Sequence, residues 1–130
     1  MIYLLDVNAL IALGHLDHAF HKRVIAWLKA EASPLLATCS ITELGFIRVL
    51  AQSPIYDFDV DRAKVQLARL KQNPELAFQF VADDQDVAGL PAWVQTGGQT
   101  TDGHLLQLAS AHGAVLATLD AKIPGAFVIP

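Results

Sequence analysis

Met1-Ile2-Tyr3-Leu4-Leu5-Asp6 is an apolar run that stops at a carboxylate, and its reading decides the fold. Ile2 to Leu5 offers no polar face, which is the pattern of a strand buried on both sides of a parallel sheet. Asp6 then falls at the strand's carboxyl end, the edge where open α/β sheets bind ligands. Asp is also a favoured helix N-cap, so the residue has a structural use as well as a chemical one.

Outward from this strand, Val7 to Leu16 has the composition of a short apolar helix. His18 to Glu31 reads as a second, with Phe20, Val24, Trp27 and Leu28 on one face. Leu35 to Thr38 follows as a strand. Ser40 to Gln52 is the next helix, entered through Ser40-Ile41-Thr42-Glu43, which spells a capping box with Ser40 as cap and Glu43 as its reciprocal partner. Apolar residues on most sides of this helix place Glu43 beside buried surface, where a carboxylate needs a partner or a cation.

Asp59 can cap a further helix, decorated by Arg62, Lys64, Arg69 and Lys71. Leu76 to Val81 reads as a third strand, and Asp83-Asp84-Gln85-Asp86 as a turn and helix cap, lacking the spacing of a calcium loop. Gly89 to Gly98 is a connector. Thr101 can cap a helix that carries Asp102 in its first turn and ends at Gly113. Val115 to Thr118 is a fourth strand with Asp120 just beyond it, and Phe127 to Ile129 is a short last one. Strands alternating with helices indicate an α/β fold with a mainly parallel sheet in a single domain over residues 1–130.

Composition narrows the function classes. One cysteine, Cys39, excludes an intramolecular disulfide, and its apolar neighbours indicate a buried thiol in a reducing compartment, so a cytoplasmic location is expected. Met1 leads straight into strand-like sequence with no leader pattern, and no apolar run reaches the ~18 residues of a membrane span. A net charge of −4 argues against a passive nucleic-acid binder. Hydrophobic content of 53% with 17% charged residues is high for a lone small domain, and points to partners that cover apolar surface.

Two buried-type strands end in Asp6 and Asp120, and two helices begin near Glu43 and Asp102. In a doubly wound sheet, strand ends and helix starts converge on one edge, so four carboxylates can meet there. Such a cluster repels itself, and a hard divalent cation with oxygen ligands, Mg²⁺ or Mn²⁺, is the expected remedy.

Asp6-Val7-Asn8 after the first strand, Thr42-Glu43 opening a helix, Thr101-Asp102-Gly103-His104, and Leu116-Ala117-Thr118-Leu119-Asp120 resemble, in order and across essentially the whole chain, the motifs of the PIN domain, particularly of VapC-type toxins. The resemblance implies a three-layer α/β/α fold with a central sheet of four to five strands, and a Mg²⁺-dependent endoribonuclease, with Mn²⁺ as a possible substitute. It implies the toxin of a toxin-antitoxin pair, with RNA as substrate and a cognate antitoxin and a second copy of the chain as partners. Family roles carry over to Asp6, Glu43 and Asp102 as the main acids and Asp120 as a more variable fourth, with Asn8 and Thr118 as supporting polar residues.

His104, two residues after Asp102, is a candidate for orienting a phosphate or proton, or else helix-surface packing. His15, His18 and His21 read as surface residues rather than a metal site. A haloacid dehalogenase-like phosphatase would want a second acid where Asn8 stands. A catalytically silent interaction module, its acids serving only as caps, is the reading from a different class.

Overall fold

The computed structural model describes residues 1–32 and 34–130. Strands β1 (Ile2–Leu5), β2 (Leu35–Cys39), β3 (Ala77–Val81), β4 (Ala114–Thr118) and β5 (Phe127–Val128) form one sheet in the order β3-β2-β1-β4-β5. Every neighbouring pair is parallel. Helices α1 (Val7–Gly14), α2 (His21–Ala30), α3 (Ser40–Gln52), α4 (Val60–Lys71) and α5 (Thr100–Ala111) cover its faces. The expected mainly parallel α/β sheet is therefore present, with five strands. No helix among the described residues is long and apolar enough to cross a membrane.

β1 is buried on both sides because its side chains alternate between two cores. Tyr3 and Leu5 join α1, α2, α3 and α4 in the larger one, with Trp27 and Phe46 buried in it. Leu4 faces the other way and packs with Ala37, Cys39 and Leu116 against Leu105, Leu108 and Ala109 of α5. Three layers result, with four helices on one face and α5 on the other. An edge-to-face contact between Tyr3 and Trp27, ring centroids 4.9 Å apart, anchors α2 to the first strand. Phe20, on the same expected face as Trp27, is instead half-exposed under the Arg23 guanidinium.

Chain order reverses between β1 and β4, since β2 and β3 extend the sheet on one side of β1 and β4 and β5 on the other. A crevice forms at such a switch point, outside the carboxyl ends of the strands. Asp6 stands there on β1, and its amide donates to the Ala117 carbonyl of β4 at 2.9 Å.

Several boundaries depart from the sequence expectation. β2 runs into α3 with no intervening loop, which moves the cap one residue earlier: Cys39 is the N-cap, and its amide donates to Thr42 Oγ1 at 3.0 Å. Ser40 and Glu43 therefore do not form the capping box, and the Glu43 carboxylate is left for other partners. Thr101 does not cap α5 either, because that helix starts at Thr100 from a short 3-10 turn over Gly97–Gln99. Asp59 does cap α4, accepting from the Arg62 amide at 2.7 Å.

α3 reaches the start of α1 through Gly45. A Cβ at that position would lie 2.4 Å from Val7 Cγ2, one residue from Asp6. Alanine in place of glycine gains about 1 kcal/mol of helix propensity, but overpacking of this kind costs about 1–3 kcal/mol. Gly45→Ala is expected to lower the thermal midpoint, and an unchanged or raised midpoint would show that Val7 yields freely.

Candidate functional site

The carboxyl ends of β1 and β4 are tied by side chains. Asp6 caps α1, its Oδ1 accepting from the Val7 amide at 2.8 Å, while its Oδ2 accepts from the Thr118 hydroxyl at 2.8 Å. Thr118 Oγ1 in turn accepts from the Asp120 amide at 3.0 Å and from Asn8 Nδ2 at 3.2 Å. The Asn8 amide is oriented by its other end, whose Oδ1 accepts from the Leu119 amide at 3.0 Å. Asn8 and Thr118 thus form a bracket between the first acid and β4, and the carboxylate that caps α1 is the one held at the strand ends.

Three acids act on one another here. Asp6, 7% exposed, has its carboxyl pushed above the usual range, first by burial, against the Thr118 and Val7 hydrogen bonds, and further by the Asp120 charge. Asp102, in the first turn of α5, is also raised, first by burial and then by the charges of Asp6 and Asp120. A Cβ on its neighbour Gly103 would come within 2.3 Å of Val94 Cγ2, so glycine lets the connector lie tight against the start of α5. β1, α5 and the end of β4 thus each bring one carboxylate to the switch point, near enough for the charges of Asp6 and Asp120 to act on Asp102.

Glu43 is engaged differently. Its Oε2 accepts from the Thr38 hydroxyl at 2.5 Å and from Lys71 Nζ at 2.6 Å. Among the described residues, no three His, Cys, Asp or Glu side chains stand close enough, as placed, to enclose an ion. Chemically the three Asp groups fit a hard divalent cation: they offer oxygen only, they are partly desolvated, and their mutual repulsion is what such a charge cancels. The side chains would have to close on the ion as it binds.

The histidines are held elsewhere. His104 Nε2 lies 2.6 Å from Asp83 Oδ2 and His112 Nε2 lies 2.8 Å from Asp84 Oδ1. These pairs, two turns apart on α5, staple the segment after β3 to that helix; the Asp84 carboxyl is lowered by its bonds from Gln85 and His112. Asp86 caps the 3-10 turn at Val87–Gly89, as a turn-and-cap reading expects. The eight-residue spacing of His104 and His112 along one helix face was the available signal for the staple. His15 stacks edge-on against Tyr56, and His21 Nδ1 lies 2.7 Å from the Ala12 carbonyl, both structural contacts.

A family model described as PIN domain matches residues 3–126. The chain belongs to the PIN domain family. Within it, the relatives are VapC proteins: Ribonuclease VapC38 of Mycobacterium tuberculosis is 36% identical over 121 residues, covering 92% of this chain and 86% of that protein. The fold agrees with two solved structures at 16% identity. One, VapC20 of Mycobacterium tuberculosis, a Sarcin-Ricin loop cleaving toxin, superposes with a TM-score of 0.66 over 98% of this chain and 99% of that one. The other, VapBC2 of Rickettsia felis bound to a promoter DNA fragment, gives a TM-score of 0.67 over 98% and 97%. In this chain Asp6 follows β1, Asp120 follows β4 and Asp102 lies in the first turn of α5.

Proposed function

We propose that this PIN domain, acting as one unit over residues 1–130, is a Mg²⁺-dependent endoribonuclease and the toxin of a VapBC-type pair, with Mn²⁺ able to substitute. The observation that carries the reading is the convergence of Asp6, Asp102 and Asp120, from the ends of β1 and β4 and the start of α5, on the sheet's switch point. Relatives named as VapC ribonucleases support the activity class.

Asp6, Asp102 and Asp120 would hold the cation, with Glu43 completing the set once freed from Lys71. When bound, such an ion supplies Lewis acidity at a scissile phosphate and lowers the pKa of a nearby water. The protein's own part is orientation. Thr118 fixes Asp6 Oδ2, the Val7 amide fixes Oδ1, and Asn8 locks Thr118, so the deepest acid has no rotamer freedom to lose on binding. Attack by water on the phosphorus with the P–O3′ bond breaking, the 3′ oxygen leaving as a hydroxyl, gives 5′-phosphate and 3′-hydroxyl ends.

An antitoxin and a second copy of the chain are the proposed partners. The uncovered apolar side chains of Leu44, Ile55, Val60 and Val87 support this, since each stays largely exposed in the single chain. The buried free thiol of Cys39 supports work in the cytoplasm. Sequencing RNA 5′ ends after induction of the wild type beside Asp102→Asn tests the proposal. Discrete new 5′-phosphate ends are expected with the wild type alone; the same ends from both proteins would remove Asp102 from the site.

A further inference from the structure

Outside the Asp cluster, the structure builds a seat for one ammonium group. Lys71 closes the last turn of α4, where a cation is favoured by the helix dipole. Its Nζ lies 2.6 Å from Glu43 Oε2 on one side and 5.6 Å from the centre of the Phe80 ring, on β3, on the other. Thr38, fully buried near the end of β2, donates to the same carboxylate oxygen at 2.5 Å. Four elements, β2, α3, α4 and β3, thus contribute to holding one charge. Lys71 is not simply one of a solvated basic stripe.

We propose that Lys71 is a positioning residue that occupies Glu43 in the ion-free protein, and that a divalent cation must displace it to recruit that carboxylate. The inference rests on the ion-binding reading of the Asp cluster. Both the ammonium and the ion want the same acid, and they repel each other at close range. Lys71 therefore sets a threshold on ion affinity. A partly exposed pair of this kind is worth little on its own, and with the added repulsion the penalty corresponds to about a five- to tenfold weakening of ion binding.

Calorimetric titration of the purified full chain with Mn²⁺ tests this without any activity readout. Lys71→Met, which keeps the stem beside Phe80, is expected to bind Mn²⁺ about five- to tenfold more tightly than wild type, and Lys71→Arg to bind like wild type. The gain should vanish in a Glu43→Gln background, because no acid is then released. A role in merely propping Glu43 predicts the opposite sign. If Lys71→Met binds Mn²⁺ no better than wild type while Asp6→Asn still abolishes binding, the inference is overturned and the ion site stands. If Asp6→Asn binds Mn²⁺ as wild type does, the ion-site reading fails and takes the inference with it. Should Lys71→Met not fold, Lys71→Gln gives the same comparison.

Discussion

Asp6→Asn is expected to reduce Mg²⁺-dependent RNA cleavage by the purified protein on the order of a thousandfold while leaving the fold intact. Loss of a supporting residue around a metal typically costs 10- to 100-fold, so loss of the deepest candidate ligand should cost more. Stability should move little because two effects oppose each other. Asn relieves a charge that burial disfavours. It also turns an amide toward Thr118 Oγ1 in place of the acceptor that oxygen now donates to, and one hydrogen bond is lost. The two act in opposite directions, so the net change in thermal midpoint should be small. Multiple-turnover cleavage and a thermal melt on the same preparation separate the two. Cleavage within tenfold of wild type would remove Asp6 from the chemistry, whereas loss of both activity and cooperative melting would make its role structural.

The acids and the strands that carry them were legible in the sequence for one physical reason. A strand buried on both faces reads as a nearly continuous apolar run, so Ile2–Leu5 and Val115–Ala117 announce themselves, and a carboxylate just past such a run falls at the sheet's edge. Partnerships across the fold were not legible. Glu43 and Lys71 are 28 residues apart, and His104 and Asp83 are 21 apart. Nothing local in either segment encodes which turn of α4 packs against α3, or which side of α5 meets the end of β3. The capping box at α3 failed for a subtler reason. Ser40 and Glu43 have the right spacing, but β2 continues to Cys39 and leaves no room for a separate cap, so the same motif one residue earlier, Cys39 with Thr42, takes the role. That one-residue shift releases the Glu43 carboxylate from capping and leaves it to the Thr38 hydroxyl and the Lys71 ammonium.

Divalent cations and pH should act on stability in opposite senses, and the crossing identifies the acid cluster. Burial and neighbouring carboxylates raise the folded-state pKa values of both Asp6 and Asp102 above the ordinary Asp range. A raised carboxyl contributes stability that is fully present below its unfolded pKa and is lost as pH rises through the folded one. Without divalent ions, wild type should therefore lose stability relative to Asp102→Asn as pH increases from about 4 through the raised values. Saturating Mn²⁺ at neutral pH reverses the order, because an ion that binds only the native state stabilises it. At a hundredfold excess over Kd the gain is about 2.7 kcal/mol, which for a chain of this size is about 10 °C in Tm. Asp102→Asn should lose most of that gain. Melting both proteins from pH 4 to 8, in chelator and in Mn²⁺, gives four curves. Expected are a variant at least as stable as wild type in chelator at pH 7 and a wild type well above it in Mn²⁺. Parallel curves in chelator, with no Mn²⁺ shift in either protein, would mean that the three acids neither share charge repulsion nor gather an ion.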